Sequence, residues 1–176
     1  MVDLNLTGGG VGSDGVGALE QALAHAALLG AELDPKFRVL AVTLEPELDR
    51  YAFVSQGAVV PDDRRVQLLC HPVSTIIAAL RRHAGRELME FTDEQLPTVV
   101  GALDGLKIGE RLFGLPEPRP GSWGPRFSME GRSSAPNGVA NTLTIQVSDD
   151  ELSFDLFARF DEIELRGPDG QPLPIL

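Results

Sequence analysis

Hydrophobic and polar positions divide the chain into short segments of two different periods. Val2, Leu4 and Leu6 alternate with Asp3, Asn5 and Thr7, the period of a strand with one buried face. A glycine-rich stretch, 8–17, then predicts irregular chain. From Val16 the apolar residues Leu19, Leu23 and Ala26 recur at helical spacing in an alanine-rich run. This predicts a helix over 16–29, with Ser13 or Asp14 as its cap and Gly30 at its end. Residues 37–45, FRVLAVTLE, are rich in β-formers and stop at Pro46, which cannot continue a central ladder. A short extended piece is expected over 51–60, a turn at Pro61, Asp62 and Asp63, and a strand over 66–71.

Segment 73–81 reads two ways. Val73, Ile76, Ile77, Leu80 and Ala84 fall at helical spacing, with Pro72 suited to a first turn and Gly85 to a stop. The β-branched Val73, Thr75, Ile76 and Ile77 would equally extend the preceding strand past a bulge at Pro72. A gapped echo between HPVSTIIAALRR at 71–82 and ARFDEIELRG at 158–167 favours extended chain. Further on, Thr92 and Gln95 have the spacing of a capping box, and Leu96, Val99, Val100 and Leu103 form a stripe, so a second helix is expected over 96–104.

Five prolines mark 114–138 as a long irregular connection, with Trp123 expected to anchor it to the body. The last third alternates throughout. Leu143, Ile145 and Val147 face away from Thr142, Thr144, Gln146 and Ser148, and Asp149 and Asp150 make a turn. Leu152, Phe154 and Leu156 then begin a strand running to Arg166, in which Phe160, Glu162 and Glu164 lie opposite Asp161, Ile163 and Leu165. Pro168, Asp169 and Gly170 turn once more. The expected fold is a single α+β domain over 1–176, a largely antiparallel sheet with two helices packed on one face.

Composition narrows the function. A chain of 176 residues holds one core, and its longest apolar runs are too short to cross a bilayer. The start of the chain carries no basic, apolar leader, so a cytoplasmic location is expected. One cysteine, Cys70, excludes an internal disulfide, and His25, His71 and His83 offer no zinc spacing; no cofactor is expected. The net charge of −11 is concentrated in residues 1–50 and 141–176 and repels phosphate backbones and anionic lipid, so neither nucleic acid nor membrane is an expected partner. Arg81, Arg82 and Arg86 form the one basic cluster, a candidate contact for a partner or an anion.

The candidate motifs weaken in context. Gly10, Gly12 and Gly15 give the spacing of a dinucleotide-binding turn, yet the acid required after the next strand is missing and the first strand is half polar. Cys70 and His71 are adjacent, and in a strand adjacent side chains point to opposite faces, so Cys70 reads as a small buried hydrophobe. Of the acid pairs Asp62 and Asp63, Asp93 and Glu94, Asp149 to Glu151, and Asp161 and Glu162, most fall in turns or first helical turns and read as turn and cap carboxylates.

Asp63-Arg64-Arg65-Val66-Gln67-Leu68 leading into His71-Pro72-Val73 and Leu80-Arg81, with the late FDEIELRGPDG, resembles a group of uncharacterised actinobacterial proteins over 60–170. That resemblance implies a mixed fold with long antiparallel strands, and no catalytic residue. The expected function is a small cytoplasmic interaction or regulatory protein without catalysis, homodimeric through a sheet edge. Two other readings stand beside it. One is a small-ligand or nucleotide-binding protein or enzyme that uses loop 8–17. In the other, the arginine cluster docks onto the acidic end of a second copy.

Overall fold

The computed structural model of the chain describes residues 13–50, 62–103, 105–114, 126–131 and 141–173. In chain order they form α1 (Ser13–Leu23), β1 (Ala27–Asp34), β2 (Val39–Glu45), β3 (Val66–Arg82) and β4 (Glu87–Met89). A 3-10 turn (Asp93–Gln95) runs into α2 (Leu96–Gly101), followed by β5 (Phe127–Glu130), β6 (Asn141–Ser148), β7 (Leu152–Arg166) and β8 (Pro172–Leu173). Strands dominate, and all of them join one antiparallel sheet in the order β1-β2-β3-β7-β6, with β4 and β5 pairing with β3 and β8 with β7. The α+β class with an antiparallel sheet is therefore observed, with few and short helices.

Sheet formation explains where sequence and structure part. The expected helix over 16–29 starts at Ser13 and stops at Leu23, where His25 takes a left-handed conformation (φ 62°). Ala27 to Asp34 then pairs with β2, with one irregularity between Leu28 and Gly30, so ladder hydrogen bonds outweigh the helical preference of alanine and leucine. The same boundary places Ser13 to Gly17 in helix rather than in a glycine loop. Segment 73–81 is strand, continuous with 66–71. Its irregularity lies between Val73 and Thr75, one step beyond the expected bulge at Pro72. Ser74, buried there, donates its hydroxyl to the Arg159 carbonyl at 3.2 Å. The His71–Pro72 peptide is cis.

The capping box forms, with the Gln95 side-chain carbonyl accepting the Thr92 N–H at 2.9 Å, and Pro97 falls in the first turn of α2. The stretch 114–138 is not irregular throughout, because Phe127–Glu130 pairs with Thr75 to Ala78. The expected strand at Val2 to Leu6, the piece 51–60, Gly10, Gly12 and Trp123 lie outside the described residues.

One face of the sheet carries the core. Leu40, Val42 and Leu44 on β2, Leu68, Cys70, Ile76 and Ala78 on β3, and Phe154, Leu156 and Phe160 on β7 alternate into it, joined by Leu19 and Leu23 of α1 and Leu96 and Val100 of α2. On β7 the alternation slips after Phe160, so that Ile163 and Leu165 share its face instead of opposing it. Segment 106–113 stitches the ends of the sheet together. Leu28 donates to the Leu106 carbonyl at 3.0 Å and Ile108 to that of Ala26 at 3.0 Å, while Thr144 of β6 donates to the Leu112 carbonyl at 2.7 Å. The Glu20 carboxylate of α1 holds this strap by accepting the N–H groups of Leu112 (2.9 Å) and Phe113 (2.8 Å).

Candidate functional site

The outward face of the sheet differs in character at the end formed by the β1–β2 hairpin. Strand alternation that buries Leu40, Val42 and Leu44 turns Val39, Ala41 and Thr43 outward. Register then sets one row across four strands: Glu32 opposite Ala41, Ala41 opposite Leu69, and Leu69 opposite Glu164. The neighbouring row is Thr43, Gln67 and Arg166.

At the tip, Asp34 Oδ1 accepts the backbone N–H groups of Lys36 (2.9 Å) and Phe37 (3.0 Å), a side-chain-closed turn begun by Pro35. Phe37 is thereby held out at 55% exposure, with the Lys36 ammonium 5.0 Å from its ring centre. Arg38 closes the turn with φ 56°, and its carbonyl accepts the Val73 N–H at 2.7 Å, which ties the hairpin tip to β3. The result is a cleft of about 750 Å³ whose floor is Val39, Ala41 and Leu69 and whose rim includes Glu32, Asp34 and Phe37.

Most charges around it are already engaged. Arg166 grips Glu164 through two of its three nitrogens, Nε to Oε1 at 2.8 Å and Nη2 to Oε2 at 3.3 Å. Arg64 pairs with Glu45 at 3.0 Å. Arg65 binds Asp63, and this hydrogen bond holds the Asp63 carboxyl down to about 2. His71 Nδ1 lies 3.9 Å from Glu162 Oε2 across the β3–β7 pair, an ion pair only when the imidazole is protonated. Glu32, exposed on the rim, has no ion-pair partner among the described residues.

The residues singled out by sequence are not gathered into one centre. Arg81 is engaged by Asp155, Arg82 follows it on the strand and so points to the other face, and Arg86 sits in the turn beyond with φ 52°. An anion at Arg81 would compete with Asp155. Cys70 is wholly buried in the core, and burial pushes its thiol up, away from the thiolate a nucleophile needs. Asp149 accepts the N–H groups of Leu152 (2.6 Å) and Glu151 (2.7 Å), bonds that lower its carboxyl in the manner of a turn residue. Gly15 of the glycine string is helical. Among the described residues no group of three or more His, Cys, Asp or Glu side chains is arranged to hold a metal, and no helix is long and apolar enough to cross a membrane.

Sequence reasoning missed the cleft because its floor draws scattered residues from β2 and β3, Val39 and Ala41 from one and Leu69 from the other, which no motif connects. The one usable signal was the alternation in FRVLAVTLE, which sends Val39 and Ala41 to the face opposite Leu40 and Val42. No family model matches the chain, and neither a curated protein nor a solved structure does so.

Proposed function

We propose that the chain is a small interaction module without catalysis, binding a partner protein through the cleft beside the β1–β2 hairpin, with both helices laid on the opposite face as its support. The cleft itself carries this reading. A large aromatic side chain, Phe37, is held in solvent by its own turn beside an apolar floor, and the volume lies in the range of binding clefts. The buried Cys70 and the dispersed arginines give catalysis no comparable support.

Selection of random peptides displayed on phage, run in parallel against the wild-type chain and Ala41→Arg, tests the reading. An arginine at this position fills the floor from an outward-facing site. Clones that bind the wild type and lose binding to a folded Ala41→Arg variant are the expected result. No enrichment, or clones indifferent to the substitution, would overturn it.

The open edge of β1 favours a second reading. Beyond Leu28 this strand is hydrogen-bonded on one edge only among the described residues, which suits a homodimer through paired β1 edges. Such pairing brings the Glu32 and Asp34 carboxylates of two copies close together, and like charges across a strand pair are destabilising. Light scattering at high protein concentration decides it, because a monomer excludes this arrangement.

A further inference from the structure

We infer that the segment taken by this cleft is cationic as well as apolar: an extended stretch crossing the strands, with one aliphatic side chain over Ala41 and Leu69 and a Lys or Arg beside it facing Glu32 and Asp34. This rests on the interaction reading above and adds the chemistry of the partner. Arg166, the one cation among the described residues that line the cleft, is paired through two of its nitrogens with Glu164, so its charge is already balanced and draws an acidic ligand only weakly. The Lys36 ammonium stands over the Phe37 ring at the tip. Glu32 has no ion-pair partner among the described residues, and Asp34 spends only Oδ1 on its turn, leaving Oδ2 for an incoming donor.

Spacing agrees with charge. Neighbouring strands lie about 4.8 Å apart and residues of an extended chain about 3.3 Å apart, so when one side chain is seated over Ala41 the next on the same face, two residues on, lies within reach of Glu32. The long, flexible stem of Lys or Arg covers the remaining mismatch and packs along the apolar floor. The net charge of −11 steers a basic segment toward the protein and repels an acidic one.

The test is fluorescence anisotropy at low salt with the full chain and three labelled peptides. They are Gly-Ser-Leu-Val-Lys-Arg-Leu-Gly-Ser and its counterparts carrying Gln-Gln or Glu-Glu in place of Lys-Arg. The Lys-Arg peptide should bind about tenfold more tightly than the Gln-Gln peptide, Glu32→Gln should remove most of that advantage, and Ala41→Arg should abolish binding. Glu32 is exposed, so its variant keeps the test valid should Ala41→Arg fail to fold. Equal affinity for all three peptides, or preference for Glu-Glu, overturns the charge assignment while the cleft reading survives if Ala41→Arg still abolishes binding. Lys-Arg binding that ignores both substitutions reports the diffuse acidic surface and overturns the inference. So does the absence of binding up to about 1 mM, a concentration that corresponds to only about 4 kcal/mol of affinity. In that case the phage selection judges the cleft reading by itself.

Discussion

Two sets of side chains on β2 and β3 differ by one residue step and by everything else. Leu40, Val42, Leu68 and Cys70 are wholly buried in a continuous apolar core, while Val39, Ala41, Gln67 and Leu69 floor an open cleft rimmed by carboxylates. The backbone is the same, and the ladder hydrogen bonds serve both faces equally. What separates them is cover. Side chains from α1, α2, β6 and β7 join the first set in the core, whereas Val39, Ala41 and Gln67 stay partly exposed and Leu69 is buried at the bottom of the cleft. Apolar surface on the first face therefore stabilises the fold, and at the cleft the partly exposed Val39 and Ala41 are available to bind.

Substitutions on the two faces should respond in opposite ways, and urea denaturation of matched variants measures this. Phe160→Ala removes a wholly buried ring from the core and should cost about 3–5 kcal/mol. A loss below about 1 kcal/mol would erase the distinction between the faces. Glu20→Ala acts between them. It leaves the Leu112 and Phe113 N–H groups without their acceptor and should cost about 1–3 kcal/mol, with faster amide exchange at those two residues as the specific sign. Phe37→Ala, on the open face, should change stability by less than about 0.5 kcal/mol while weakening any ligand of the cleft.

The smallest effect expected is electrostatic. The Asp63 carboxyl is held at about 2 by Arg65, below its ordinary value of 3.8. Its contribution to stability is complete above 3.8 and is lost as pH falls toward 2, so Asp63→Asn should flatten the stability profile in that window and leave it unchanged at neutral pH apart from a constant offset.

The two faces were also unequally legible in the amino-acid sequence. The β6–β7 hairpin could be read directly, since Leu143, Ile145 and Val147 alternate without interruption and Asp149 turns the chain by bonding two backbone N–H groups. The capping box at Thr92 and the turn at Gly170 (φ 77°) were equally local and equally clear. β1 was hidden because Ala26, Ala27, Leu28 and Leu29 favour a helix in isolation and become strand only when β2 supplies the ladder. The core partnership of Phe160 with Ile163 was hidden for a related reason: the alternation slips within a strand that looks continuous. The cleft was the least legible, because its rows exist only once the register of four strands is fixed.

The pairing at the centre of the sheet bears on how the chain assembles. Ser74 reaches Arg159 across 85 positions of sequence, and every rung between β3 and β7 closes a comparably large loop. The hairpins β1–β2 and β6–β7 close small loops and can form early, each on its own. Their junction must await the encounter of two distant strands, whose loop-closure entropy is repaid only when the whole β3–β7 ladder docks. The middle of the finished sheet should thus be the last part to be made, and refolding should be slow for a chain of this length, with two preformed ends waiting for their seam.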